Sequence, residues 1–533
     1  MKPLLPALCL LTLGSADALA EKIVVGPGAS IQTALAGAAA GDTVVVKGLH
    51  HENVTVSVPS ITLRGAGGTI DGEYQGPCVR VTADDVTIET LTLVHGTSAV
   101  DVDADRVRLD GNTIRNAATR SIDVDGDDAV IRKNDLFDGG GVEVDASSAS
   151  TTAFDKNRLE NEALTELDGG AFLVRGNTFV DGHGVRVEST HDAVTTKVAG
   201  NDLERVVGFA IFVIAEGSST ARVESNDVDS VTGVGVRLSR DDDGDALVRK
   251  NRVAFTTDEG IEIDHDGAGT VEAVDNVVTA AGRYGVEICN EGTGDVELRG
   301  GKISGALLEG VAAEIDGDGD VVVRDVSVKD VGRDGVETYQ NGGLGAFSIL
   351  DCDVRDVGRT GISVADGGAA TVAGNDIRRC AWRGVWAEVS DLQVTGNTIR
   401  QCGRAGIHVA DHSGSGAVTD NDVRSCGADG VVLFDPNGFV ITDNVCRKNR
   451  GDGIDLRAGA ANEVRGNLCR DNLHEGIDNN ATGTDLEKND CRGNGTGLGP
   501  DIAGAGKGSG TVVSFTGNDF ESGGATAPQR LDQ

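Results

Sequence analysis

The sequence predicts an all-β solenoid: one rod of about 20 coils, each made of three short parallel strands. Three observations predict it. A phrase recurs every ~23 residues, apolar and polar residues alternate with period two around it, and bulky side chains are scarce. Of 533 residues, 77 are Gly, 8 are Pro, 2 are Trp, 3 are Tyr and 12 are Phe, and the one Met is the initiator. Hydrophobic residues still make up 39%, too many for a disordered chain. The core must therefore use Val, Ile and Ala. Length alone suggests about three or four domains; the repeat replaces them with one. The glycines have no three-residue period, which excludes collagen. Acids outnumber bases 85 to 47, a net charge of −38. General nucleic-acid binding needs a basic face and is not expected.

The elements follow in chain order. Lys2, an apolar run from Leu4 to Leu13 and Ala18-Leu19-Ala20 read as a secretory signal peptide over 1–20. No later stretch reaches about 18 apolar residues, so a secreted or periplasmic protein without a membrane span is expected, and a monomer. The solenoid occupies 21–520. Residues 21–60 form its N-terminal cap and first coils, with a capping helix over 31–40. Residues 494–510 read as a flexible insert, Thr511 to Phe520 as a last strand pair, and 521–533 as a loose tail.

The repeat is anchored by one slot. It is filled by Asn at 112, 134, 157, 177, 201, 226, 251 and 276, by Gly301, Val326 and Cys352, and again by Asn at 375, 397, 421, 444, 467 and 489. Asn suits a sharp turn because it tolerates the left-handed conformation and bonds locally. Stacked Asn side chains can form an amide ladder. A second phrase, Gly-Val/Ile-polar-apolar, recurs as Gly260-Ile261-Glu262-Ile263 and Gly285-Val286-Glu287-Ile288. Its alternation marks a strand with one buried face. At ~4.8 Å per coil the rod is roughly 95 Å long.

The Asn slot and the Gly-Val/Ile phrase resemble those of the right-handed parallel β-helix proteins with pectate-lyase-like architecture. Ile31-Gln32-Thr33-Ala34-Leu35, followed by Gly41-Asp42-Thr43-Val44-Val45-Val46, is similar to that superfamily's capping helix and first coil. The resemblance covers about 23–520 and implies a right-handed parallel β-helix. It implies less about activity, because the fold hosts lyases, hydrolases, epimerases and inert scaffolds. Gly126-Asp127-Asp128 and Gly182-His183-Gly184 match strings of the pectin hydrolases, but they lie more than two coils apart without the companion motifs. Tyr284-Gly285-Val286-Glu287 begins like an epimerase motif, which Ile288-Cys289 then breaks.

Seven cysteines, from Cys352 to Cys491, fall one per coil; Cys352 takes the anchor slot and the other six take slots that other coils give to Val or Ile. They read as stacked core thiols. Export and coil spacing permit disulfides, while parallel Cβ vectors disfavour them.

Chemistry is sought on the outward positions of the Gly-Val/Ile strand. Glu262 and Glu287 stand on successive coils ~5 Å apart, the carboxyl separation of a retaining glycosidase. Arg237, Asp264 and His265 are expected within reach. A polysaccharide lyase or glycoside hydrolase can be built from these groups; a solvated acidic face is the other reading. Trp386, beside Glu388 and His408, faces solvent by the alternation and suits stacking on a sugar ring. Asp316, Asp318 and Asp320 place hard oxygen ligands at alternating positions, which suits calcium. The short turns leave no deep pocket. Two functions follow: a secreted protein that binds, and can cleave, polysaccharide or cell-surface glycan along an exposed strand face, or a non-catalytic structural or cell-surface interaction rod.

Overall fold

The structure is a computed structural model that describes residues 20–147, 150–410, 414–495, 502–504, 512–516 and 518–520. The signal peptide up to residue 19, most of the 494–510 insert and the 521–533 tail lie outside the described residues.

One coil shows the plan. Strand Ile261–His265 leads to Val271–Val274 and then to Val277–Thr279. Each pairs in parallel with its equivalent one coil on: Ile261 with Val286, Val271 with Val296, Val277 with Lys302. Three sheets therefore run the length of the rod, here called first, second and third in that order. The described chain holds 58 strands in one linked set; at three to a coil that makes about 19 coils. Among the described residues no helix is long and apolar enough to cross a membrane.

The core follows from the alternation. In the first sheet Ile261 and Ile263 are buried while Glu262 and Asp264 face outward. Inside, Val, Ile and Leu of successive coils stack into one continuous core, which has room for few larger rings such as Phe154 and Phe347. From Gly235 to Gly453 the glycine that opens the first-sheet strand is a close-approach residue. A Cβ at Gly260 would stand 2.3 Å from Val278 Cγ1 and 2.7 Å from the Gly285 carbonyl.

The amide ladder forms, with one difference from expectation. Each Asn donates its backbone N–H and its Nδ2 to the Oδ1 of the next, as Asn201 does to Asn226 at 3.0 and 2.9 Å. It is not the Asn that takes the left-handed conformation. The residue before it does, as at Lys250 (φ +54°), and so does the residue four after it, as at Phe255 (φ +55°). The Asn must keep extended geometry to reach both coils, so its neighbours carry the turn. The ladder runs from Asn112 to Asn276 and resumes at Asn375. Gly301, Val326 and Cys352 leave it open between.

At the N-terminus helix α1 (Ile31–Gly37) is shorter than the 31–40 expected. Ala38 is extended and ends it. Ser30 caps its start by accepting the Thr33 N–H, and Glu52 accepts from Ile31 N and Gln32 N. Ile31 and Leu35 are buried and close the first coil.

The nine described cysteines are free, and all but the half-buried Cys289 are buried. Cys469 is the register partner of both Cys446 and Cys491, a column of thiols inside the third sheet.

Candidate functional site

The outward column of the first sheet places the expected groups in register. Arg237, Glu262, Glu287, Ala312, Glu337, Ser363, Trp386 and His408 are successive partners, one per coil. Arg237 Nη2 donates to Asp264 Oδ2 at 2.8 Å, and its Nε lies 3.6 Å from Glu262. Burial, with Asp264 beside it, pushes the Glu262 carboxyl up to about 7 against the pull of Arg237. Burial, with Glu259 and Glu262 near, pushes Glu287 up to about 7 as well. The same cause acts on both. A retaining pair needs one acid and one ionised carboxylate, set apart by their surroundings, and these two are not set apart.

The sequence placed His265 with this group, and the structure does not. His265 turns inward and is fully buried. It stands in register between Arg240 and Asn290. Those neighbours donate to turn carbonyls, Arg240 Nε to Gly244 and Asn290 Nδ2 to Gly294. Position five of the strand thus braces the following turn, on the opposite side from Glu262.

One coil beyond Glu287 the column drops to Ala312. The missing side chain leaves a depression of about 290 Å³, with Glu287 on one side, Glu337 on the other, and Tyr284, Glu314 and Tyr339 around it. Tyr339 is 40% exposed. Three to five coils further lies an aromatic patch. Trp386 is half-buried and faces outward, with Glu388 two positions on. The His408 ring lies 5.0 Å from Phe434, and Arg457 covers the Phe434 ring at 4.8 Å. Burial, with Arg383 and Arg457 near, lowers His408 to about 4, so it is neutral at ordinary pH.

Asp316, Asp318 and Asp320, whose spacing suits calcium, lie in the turn that follows strand Val311–Ile315, and two of them accept backbone donors. Asp318 Oδ1 accepts the Leu344 N–H at 3.0 Å and Asp320 Oδ1 the Ala346 N–H at 2.8 Å. These carboxylates satisfy backbone donors of the next coil's turn. Among the described residues three other groups bring ligand atoms within 4.8 Å of one another: Glu309, Asp334 and Glu337; Asp429, Asp452 and Asp455; and Asp452, His474 and Glu475. Each supplies three ligands, fewer than the six to eight oxygens calcium takes. The residues concerned mostly stand immediately before the strand-opening glycine. An acid recurring in that position, as in Glu309-Gly310 and Asp334-Gly335, was the signal for them. Glu309 is fully buried against Arg333 at 3.0 Å.

A family described as "right handed beta helix region" matches residues 167–303, 288–424 and 411–526, which together span about two thirds of the chain. The chain belongs to the right-handed β-helix family. No curated protein matches this β-helix. Among solved structures it is similar to the periplasmic alginate epimerase AlgG, at 12% identity and a TM-score of 0.40, over 60% of this chain and 77% of that one. It is also similar to the PL6 family alginate lyase AlyGC, at 10% identity and a TM-score of 0.25, over 94% and 100%. The Azotobacter vinelandii mannuronan C-5 epimerase AlgE4 A-module aligns at 15% identity and a TM-score of 0.28, over 64% and 91%. At such identities the likeness concerns the fold of the β-helix alone.

Proposed function

We propose that this β-helix is an exported polysaccharide-binding protein that lays a glycan chain along the outward column of its first sheet, from Arg237 to His408. The observation that carries this reading is the depression at Ala312. It is concave, lined by two tyrosines and three carboxyls, and continues along the strand face toward Trp386. Ring faces stack on the C–H faces of sugars, and carboxyls accept from hydroxyls. The test is retention on a panel of acidic and neutral polysaccharides. Wild type is retained on at least one, and Tyr339→Ala with Trp386→Ala weakens that retention about tenfold while thermal unfolding is unchanged. A wild type retained on none overturns the reading and leaves an interaction rod.

A second reading, cleavage of the bound chain, is favoured by Glu287 and Glu337. They flank Ala312 two coil steps apart, about 9.5 Å, at the upper end of the 6.5–9.5 Å range for inverting glycoside hydrolysis. Glu287, with its raised pKa, would protonate the leaving oxygen, and Glu337 would activate water. Release of reducing ends from the retained glycan, abolished in Glu287→Gln, is the expected result. Retention without reducing ends leaves binding alone.

A further inference from the structure

The third sheet carries an unassigned charge pattern. Three residues after the repeat anchor, an outward column begins with Lys329 and continues through Arg355, Arg378 and Arg400. It goes on through Arg424 and Arg447 to Arg470 and Arg492. Eight consecutive coils thus present a cation at one position, a stripe about 34 Å long at ~4.8 Å per step. Earlier coils of the same column carry Glu204, Asp229, Ala254, Thr279 and Ser304, so the stripe is a local feature of the C-terminal half.

The carboxylates beside it do not balance it. The neighbouring column gives Asp353, Asp376, Asp422 and Asp490, but Thr398, Val445 and Leu468 stand in the other coils. Seven guanidiniums therefore face four carboxylates. Six of the seven have a carboxylate partner: Arg355, Arg378, Arg424 and Arg492 pair with the Asp two residues before them, Arg400 with Asp376 at 2.9 Å and Arg470 with Asp490, whereas Arg447 comes no nearer than 3.8 Å to Asp422. Arg400, Arg447 and Arg470 each keep a buried Nε without a hydrogen-bond partner. Arg378, Arg379, Arg400, Gln401, Arg424 and Ser425 line a depression of about 400 Å³. Like charges stacked on adjacent strands repel, and burial with Arg447 and Arg400 holds the Arg424 pKa below its ordinary value. Seven guanidiniums that share four carboxylates, with Arg447 lacking a close one, leave a local excess of positive charge for an external anion.

We infer that this arginine stripe is a binding surface for an acidic polysaccharide, a linear polyuronate laid along the rod with about one carboxylate per coil. One glycosidic step and one coil are of similar length, so successive carboxylates meet successive guanidinium forks, which favour bidentate pairing with a planar carboxylate. The chain's −38 is spread along the rod, and at ~10 Å screening in 0.1 M salt the nearby stripe dominates the field at its own surface. Neither outward column of this stretch holds an aromatic ring on which nucleic-acid bases would stack. The stripe lies on another sheet from the Ala312 depression, and the inference does not rest on the reading of that site.

The test uses the full chain, polygalacturonate and polymannuronate as probes, dextran as the neutral control and single-stranded DNA as the competing polyanion. Wild type binds a polyuronate at low salt and not dextran, and its affinity falls linearly with salt on logarithmic axes. Arg400→Gln/Arg424→Gln/Arg447→Gln weakens binding at least tenfold and lowers the salt slope by about two. If the triple variant fails to fold, Arg447→Gln alone, whose side chain has the weakest carboxylate partner, lowers affinity by about threefold. The inference is overturned by absence of polyuronate binding in wild type, by unchanged affinity in the folded variants, or by DNA binding as tightly as polyuronate.

Discussion

Asn226 Oδ1 receives two hydrogen bonds from Asn201, one from its backbone N–H and one from its side chain, at 3.0 and 2.9 Å. Asn226 then donates its own Nδ2 to the Val198 carbonyl and to Asn251. Replacing it with Ala strands two buried donors on the coil before. Asn226→Ala is expected to lower unfolding free energy by about 2–4 kcal/mol, since each unsatisfied buried group costs about 1–3. Urea denaturation followed by far-UV circular dichroism measures this. A change below about 0.5 kcal/mol would mean that the ladder is ornamental.

Phe255 is a large apolar side chain that is 57% exposed and left-handed at φ +55°. Phe255→Gly removes the Cβ strain and is expected to raise stability by about 1 kcal/mol. Gly285→Ala runs the other way. Its Cβ would stand 2.2 Å from Ile303 Cγ2 and 2.6 Å from the Gly310 carbonyl, a clash expected to cost about 2 kcal/mol or more. Thermal unfolding of both variants against wild type reads the opposite signs.

These two positions show what was legible in the sequence. The anchor and the Gly-Val/Ile phrase carried the coil, the three sheets and the buried columns, because period two and period 23 are both written in residue type. The turn was assigned to the wrong residue. Lys250, Phe255 and Ala280 have no left-handed preference, and only stacking forces it on them. Arg237, Glu262, Asp264 and Glu287 gather as expected, whereas His265 does not, since its strand ends on an inward position. The acids before the strand-opening glycine lie outside the period-two alternation, which begins at the glycine. The arginine stripe does not show in the net charge, which sums over faces, so that −38 conceals a cationic one.

Stability should fall from mildly acidic to neutral pH. Glu262 and Glu287 titrate at about 7 in the fold against an ordinary 4.5, and Asp168 and Asp455 at about 6 against 3.8. The folded protein holds protons that the unfolded chain releases, so their effect is to lower stability as pH climbs through that window. Below it, Asp85, Asp181 and Asp356, lowered by arginine partners, lose their contribution as pH drops. The melting temperature is expected to peak near pH 4.5–5 and decline to pH 8. Glu262→Gln/Glu287→Gln should flatten the decline. A melting temperature that rises from pH 5 to 8 contradicts this assignment.

The thiols should be countable but inert. In denaturant, a thiol reagent is expected to titrate all nine of the described cysteines. In the native protein burial raises Cys78 to about 11 and Cys352 to about 12, so little thiolate exists to react. Native labelling should be slower than in denaturant by more than a hundredfold, and fewer than nine thiols in denaturant would reveal disulfides.

The gap in the amide ladder between Asn276 and Asn375 has a dynamic consequence. A solenoid's cooperativity passes only from neighbour to neighbour, and the coils anchored by Gly301, Val326 and Cys352 keep their backbone ladder but lack the side-chain amide bonds that tie the others. They are expected to form a seam between two foldons, with amides that exchange before those of the laddered coils on either side. Ala312 and its depression lie on that seam. The rod is expected to be stiffer on both sides of its dent than at the dent itself.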